Sequence, residues 1–348
     1  MKYEILHEFP APQVEARWHD LLGRLEFPSH YNAPEYFLEP HWAGKRPFAV
    51  LALDDNRVAA VLTGIHEGEQ VVCGLPVRPQ VAADSAMDVN AALEAAVEGL
   101  IHEAGKAQLL TVYAWPSLEL PPFAQRGFRR RQLQGSVVLD LTQGAEAIFQ
   151  QFTKDRRRNI RYAGKNGVTV RIAENREDFR LAYEVYLAWV DDESNMAKGE
   201  RRSFEHFEAA QVLKKNRRLF LAECSGKVIA INMFRFCPGG LFESAANFSL
   251  AEFLHLKPND LLQWRGIEWA CSQGLRRHSL GGAHPFLRRF GGTVVPVIRY
   301  RLDRTLLRKH DLRDTLEETA RKTLGQMPAS MQSKVRRALG KGTGKAEK

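Results

Sequence analysis

The sequence predicts an α/β (α+β) protein built from two tandem units of one design, each a mixed, twisted sheet flanked by helices. Three observations lead there. The same order of strands and helices runs twice along the 348 residues. Gly105 and Gly274, 169 residues apart, each end a long helical stretch that leads on to a basic residue and a strand. FAQRGF at 123–128 and FLRRFGG at 286–292, offset by 163 residues, each precede an apolar, alternating stretch. A separation shared by several elements argues for duplication more strongly than any single match.

The elements follow in chain order. Apolar residues over 14–25 give an opening helix. PFAVLAL (47–53) and VAAVLTG (58–64) read as strands joined by the turn Asp54-Asp55-Asn56, because short apolar runs bounded by turn residues suit buried strands. A short strand at 70–74 precedes a helix over 86–104, which Gly105 ends because glycine takes the left-handed cap conformation without strain. Strands at 108–113 and 136–141 complete the first unit. The second opens with helices over 178–189 and 203–213, then strands at 218–223 and 228–236 around Ser225-Gly226. A strand at 240–246, a helix over 259–273 and strands at 277–280 and 294–302 follow. Meandering strands with a helical crossover imply a mixed sheet with helices against it. These limits predict an N-terminal domain over 1–145, a C-terminal domain over 146–305 and a basic helical tail over 306–348, frayed after Gly340.

The formal charge of +9 is unevenly placed. KDRRRNIRYAGKNGVTVR at 154–171 holds seven Lys/Arg and one Asp; the tail holds eleven Lys/Arg and five Asp/Glu. Each is +6, and the rest of the chain sums to −3. Arg157, Arg161 and Lys165 share one helical face at four-residue spacing. Asn166-Gly167 stops that helix, and Val168, Val170 and Ile172 then alternate as a strand does. Like charge so concentrated repels itself unless solvent or an anionic partner offsets it. An anionic ligand is one reading; a solvated helix whose cations suit its dipole is the other.

No apolar stretch reaches bilayer-spanning length, and MKYEILHEFPAP carries acids and prolines where a signal peptide has an apolar run, so a cytoplasmic place is expected. Cys73, Cys224, Cys237 and Cys271 are scattered, no HExxH occurs, and no metal site is expected.

Three stretches, RRNIRYAGKNGVTV (157–170), LKPNDLLQWRGIEWACSQG (256–274) and FLRRFGG (286–292), together resemble the FemAB-like branch of the GNAT-fold acyltransferases, the branch with a doubled GNAT domain. The resemblance covers about 150–305 most clearly. It implies transfer of an acyl or aminoacyl group to an amine, with acyl-CoA as co-substrate or aminoacyl-tRNA as donor. It also implies an acceptor of peptidoglycan-bridge, exopolysaccharide or lipid-linked kind. The chain departs from the family in lacking the R/Q-x-x-G-x-G/A pyrophosphate loop, in Tyr162 where a further cation often stands, and in the short loop 281–285. The first departure bears on CoA, the others on the acceptor. No inserted helical hairpin of the kind some tRNA-using members carry is present, which favours a thioester donor.

In such a fold the sheet parts between central strands, expected here at 228–236 and 240–246. Glu243, between Phe242 and Ser244, is the candidate base, since partial burial lifts a carboxyl toward neutrality; an outward-facing strand residue is the alternative. Asn232 reads as a donor-binding amide or a satisfied core amide. Asp191 and Asp192, with Glu193, hold an ammonium, act as base, or are plain surface. Tyr183 and Tyr186 are candidate proton donors. Pro258-Asn259-Asp260 opens a helix whose free N–H groups receive a phosphate, with Lys257 and Asn259 beside it; Asp260 opposes that or caps the helix. Arg288 and Arg289, with Arg157, Arg158, Arg161 and Lys165, suit a large anionic substrate such as a pyrophosphate-linked sugar, a carboxylated peptide or tRNA. Leu306, Leu307, Leu312, Leu316 and Leu324 among basic residues suit an anionic bilayer at the inner face of the membrane, or an ordinary packed helix. Two other classes stay open: an RNA-binding module using the basic helix, and a catalytically silent scaffold.

Overall fold

The computed structural model describes residues 1–42, 44–192, 201–211 and 216–326. The first half contains β1 (Lys2–Leu6), α1 (Pro12–Arg24), β2 (Arg46–Asp54), β3 (Arg57–Glu67), β4 (Gln70–Leu75), β5 (Arg78–Pro79) and β6 (Val81–Ala83). It continues through α2 (Val89–Ala104), β7 (Leu109–Ala114), α3 (Pro121–Gln125) and β8 (Arg129–Asp140). The second half opens with α4 (Ala145–Gln151), α5 (Lys154–Lys165), β9 (Thr169–Ile172), α6 (Arg176–Asp191) and α7 (Phe204–Gln211). Then come β10 (Arg217–Cys224), β11 (Lys227–Phe236), β12 (Leu241–Ser249), α8 (Pro258–Ser272), β13 (Arg277–Ser279), α9 (Pro285–Arg288), β14 (Thr293–Asp303) and α10 (Lys309–Gln326). The expected fraying after Gly340 lies outside the described residues, as does Glu193.

The duplication is visible in the connectivity. The path β2-β3-β4-α2-β7-α3-β8 has its counterpart in β10-β11-β12-α8-β13-α9-β14. In both, the first three strands run antiparallel and the strand after the long helix lies parallel to the third. Local chemistry sets the helix limits. The Asp88 carboxylate accepts from the Ala91 N–H at 3.0 Å to start α2, and Gly105, at φ 50°, ends it. Leu93, Val97 and Leu100 seat α2 on the first sheet with Phe48, Val50 and Leu62. α8 is buried on nearly all sides, with Leu262, Trp264 and Ile267 among Phe149, Phe234 and Phe242. α6 and α7 cover the opposite face of the second sheet through Phe179, Tyr186 and Phe207 against Leu221 and Ile231.

β1 and three short 3-10 turns at His30–Asn32, Pro34–Leu38 and Pro40–Trp42 add to the predicted order. β1 exists through its antiparallel pairing with β2, and the turns through tertiary bonds such as Trp18 Nε1 to the Asn32 carbonyl at 2.6 Å. Neither leaves a periodic signature in sequence.

The two sheets are one. The order is β1-β2-β3-β4-β7-β14-β8-β13-β12-β11-β10-β9, with β5 on β4 and β6 on β3. β14 therefore lies against β7 of the first half, and β8 against β13 of the second, with β8 and β14 paired along most of their length. Chain order and sheet order part company at these two strands. Gly135 makes the central pairing possible: at φ +73°, in the register shift of this ladder, its missing side chain admits the Val295 carbonyl oxygen and Pro296.

This sets a stability prediction. Gly135→Ala must displace the backbone of β14 as well as strain φ, and is expected to lose about 3 kcal/mol or more. Gly68→Ala has a similar φ of +60° but open space around it; it is expected to lose about 1 kcal/mol. Denaturant titration of both variants checks the contrast.

Candidate active site

β12 and β13 pair in parallel only from Leu241↔Arg277 to Glu243↔Ser279. β13 then ends while β12 continues to Ser249, so the sheet opens a notch beside Glu243. This corrects the expected place of the parting: β11 and β12 stay paired from Phe236↔Phe242 to Ala230↔Ser249. The antiparallel hairpin closes there because its turn holds both strands, whereas a parallel neighbour has no such tie. A bulge between Met233 and Phe234 in the β11–β12 ladder leaves Ala245 unpaired next to the notch.

Glu243 is 2% exposed and stands directly across from Arg235 on β11. Burial lifts its pKa to about 7, against the pull of Arg78 and Arg235. Its Oε2 has no hydrogen-bond partner among the described residues. Arg78, on β5 of the first half, donates from Nη2 to the carbonyls of Ser244 at 3.1 Å and Ala245 at 3.2 Å. A first-half cation thus reaches the mouth of a second-half notch.

Arg235 also faces the first half. Its Nε donates to Glu39 Oε1 at 3.0 Å, and Arg217 and His30 bind the same carboxylate. All four are buried. Burial pushes the Glu39 carboxyl up, but Arg235, His30 and Arg217 outweigh it and hold it well below the usual carboxylate range. Burial pushes His30 down, so its neutral ring donates Nε2–H to Glu39. Next to this cluster lies a cleft of about 620 Å³ between the halves, lined by Tyr31, Tyr36, Trp42, Arg78, Arg201 and His206 among others. Arg78 belongs both to the cleft wall and to the notch, and so stands between the cleft and Glu243.

The other predicted residues divide by face. Asn232 is three positions from Arg235 on β11 and points the other way, toward α8. There its Nδ2 donates to Gln263 Oε1 at 3.3 Å, Ser244 Oγ donates to the same oxygen, and Gln263 Nε2 meets His278 Nε2. His278 Nδ1–H donates to the Phe242 carbonyl at 2.9 Å, and burial lowers its pKa to about 4, so the ring is neutral. The structure therefore separates Asn232 from Glu243 across the sheet. Lys257, exposed and left-handed at φ 61°, precedes α8 without a side-chain cap; Pro258 has no N–H, and the Asp260 N–H bonds the Lys257 carbonyl at 3.2 Å. Asn259 accepts from Ser249 Oγ at 2.7 Å. Asp260 does not cap: its carboxylate is buried in an ion pair with Arg156 of α5, whose guanidinium stacks 3.7 Å from the Phe286 ring centroid.

The basic stretch 154–171 is less free a surface than its sequence implies. On α5 Arg156 is buried and Arg157 donates to the carbonyls of Gln150 and Phe152, and on β9 Arg171 pairs with Asp178 at 2.6 Å and Glu223 at 2.7 Å. Arg158, Arg161 and Lys165 are exposed. Arg288 donates to the Ala283 carbonyl at 2.8 Å, and it and Arg289 are exposed on α9 and its C-cap, beside α5. These cations lie on the α8 side of the sheet, away from the cleft. Asp191 pairs with Arg201 at the cleft rim, and Asp192 follows the end of α6. Tyr183 OH donates to the Arg202 carbonyl at 2.6 Å and Tyr186 OH accepts from the Arg202 N–H at 3.1 Å, so both fix the cleft wall.

Sequence reasoning missed Arg78, Glu39, Arg217, Arg235 and Arg156. Arg235 had a signal, as the one cation inside the apolar run VIAINMFRF. Arg78 and Glu39 had none, since their meaning lies in residues more than 150 positions away.

Residues 150–288 match the family Acetyltransf_6, "Acetyltransferase (GNAT) domain". The fold is similar to the crystal structure of FemX, at 13% identity and a TM-score of 0.63, covering 87% of this chain and 97% of that one. It is similar also to the C-terminal domain of a candidate lysylphosphatidylglycerol synthetase from Agrobacterium fabrum, at 14% identity and 0.60, covering 87% and 95%. A tandem GNAT protein from the clavulanic acid biosynthesis pathway matches at 13% identity and 0.53, covering 88% and 99%. No curated protein sequence matches the chain.

The Arg156–Asp260 pair ties α5 to α8 and makes a further prediction. Arg156→Ala leaves a buried carboxylate without its cation and is expected to lose about 3–5 kcal/mol. Arg156→Met combined with Asp260→Leu is expected to recover most of that loss. Arg158→Ala, on the exposed side, stays within about 0.5 kcal/mol. Thermal and denaturant unfolding of the three variants distinguishes them.

Proposed function

We propose that this chain, a GNAT-superfamily acyltransferase of the doubled, FemAB-like kind, transfers an acyl or aminoacyl group to an amine on an anionic acceptor. One observation carries the reading: a buried carboxyl with a pKa raised to about 7 sits where β13 leaves β12, beside the Ser244 and Ala245 carbonyls that Arg78 of the first half binds. A general base works best when its pKa lies near the working pH.

The donor's reactive carbonyl lies in the notch past Glu243, and the acceptor amine approaches from the cleft past Arg78. The amine nitrogen attacks the carbonyl carbon and Glu243 takes its proton. The bond to the leaving group then breaks; its electron pair stays on the departing sulfur of a thioester, or oxygen of an aminoacyl ester, which takes the proton from Glu243. Arg78 places positive charge beside the developing oxyanion. The cations of the cleft suit an anionic acceptor. On the far face, the uncapped start of α8 with Lys257, and the exposed Arg158, Arg161 and Lys165, suit the donor's phosphates. That fits acyl-CoA, with aminoacyl-tRNA as the second donor class. Likeness to a candidate lysylphosphatidylglycerol synthetase supports an aminoacyl donor with a lipid-linked or other cell-envelope acceptor, and likeness to the tandem GNAT protein supports acyl-CoA. A cytoplasmic place suits either donor.

Offering acetyl-CoA, longer acyl-CoA or charged tRNA with amine-bearing envelope precursors, and weighing the products, tests the reaction class. Glu243→Gln is expected to bind donor normally but lose about 10²–10⁴ in kcat. The wild-type rate is expected to rise through about pH 7. Arg78 holds the Glu243 pKa down, so Arg78→Ala is expected to move that rise to higher pH. Near-wild-type turnover by Glu243→Gln would remove Glu243 from the role. Stability follows the same titration. Folding favours the protonated carboxyl, so this residue's contribution is lost as pH rises from 4.5 toward 7, and Glu243→Gln abolishes that slope.

A further inference from the structure

α10 is attached by its polar face. Asp314 binds Arg299 and, at 2.7 Å, Arg301 of β14; Asp311 meets Arg129 of β8 at 3.2 Å. Asp303 caps the helix, accepting from the N–H groups of His310 at 2.8 Å and Asp311 at 3.1 Å. Asp311 is buried. The opposite side carries the apolar residues. Leu306 is 89% exposed, Leu307 78%, Leu312 54% and Leu316 71%. Leu312 and Leu316 are one helical turn apart, and Leu306 and Leu307 lead into the helix. Leu307 and Arg308 hold left-handed backbone, φ 60° and 49°, a conformation costly for a branched side chain that here leaves Leu307 in solvent. A surface helix ordinarily buries its leucines and exposes its acids; here Leu312 and Leu316 are exposed while Asp311 and Asp314 bind the sheet. Exposed Arg308, Lys309 and Arg313 border the leucines, while Asp311 and Asp314 are turned inward.

We infer that this leucine face docks on an anionic lipid bilayer. The charge pattern selects that occupant: Asp311 and Asp314 are bound to the sheet, and the described side chains that border the leucines, Arg308, Lys309 and Arg313, are basic, the pattern of an interfacial helix. A second copy of this chain would bring the same basic rim against itself. The docking adds no residue to the notch and stands or falls separately from the acyl transfer proposed above.

Full-length protein mixed with vesicles of phosphatidylglycerol and phosphatidylcholine, or of phosphatidylcholine alone, tests this by co-sedimentation. Binding to the anionic vesicles alone, weakened by salt, is expected. Replacing Leu306, Leu307, Leu312 and Leu316 together by Ser is expected to weaken it at least about tenfold, with the melting temperature unchanged because all four are exposed. Arg308→Gln with Lys309→Gln is expected to weaken it about tenfold while leaving the leucines in place. No vesicle binding, equal binding to phosphatidylcholine alone, or binding that survives the leucine substitutions overturns the inference. So does a concentration-dependent dimer that those substitutions dissolve, which would assign the face to a second copy.

Discussion

β8 and β14 lie side by side in the middle of the sheet, and each extends the ladder of the half it does not belong to in sequence. The remaining geometry depends on this pairing. It is long, it tolerates one register shift because Gly135 has no side chain, and it joins two sheets into one without a free edge between them. A doubled unit that kept its own strands would leave two such edges and a hinge. Here neither half can complete its sheet without the other, so the cleft between them has fixed walls.

Those walls carry a group of charges that no single half contains. Glu39 comes from the first half; Arg217, Arg235 and Glu243 come from the second. Buried charges are costly unless their partners are well placed, and such clusters can specify one arrangement over its near alternatives. Arg235 lies between the two carboxylates, but the sharing is unequal. Glu39 takes two guanidinium groups and a histidine N–H on Oε1, which hold its carboxyl well below the usual range; at Glu243 burial outweighs Arg78 and Arg235 and lifts the pKa to about 7. Two carboxyls are driven apart in this way by their surroundings alone.

The sheet also sorts the charges by face. Glu243 and Arg235 lie on the side of the sheet that faces the cleft, with Arg78 in the cleft wall, whereas α5, α8 and α9 gather their cations on the other side. Between these faces, β12 continues past Glu243 without a β13 partner, and Arg78 binds the Ser244 and Ala245 carbonyls there. Donor and acceptor approaching from opposite sides would meet there, and the like charges on each side would not compete for one ligand.

The order of elements, the duplication and the limits of the long helices were legible in the sequence. They rest on local chemistry: the apolar runs of α2 and α8, the Pro258 start, and the left-handed glycines at 105 and 274. Glu243 was legible as a candidate for the same reason, since a carboxylate in an apolar strand needs no distant residue to look unusual. What the fold alone decided was partnership. Whether a strand pairs with its own unit, which face of a bulged strand a side chain takes, and whether Arg156 is a ligand or a buried tie all depend on contacts across a hundred positions or more. Sequence proximity carries no record of such contacts, because a cation reads the same whether its carboxylate lies one helical turn away or in the other half of the chain.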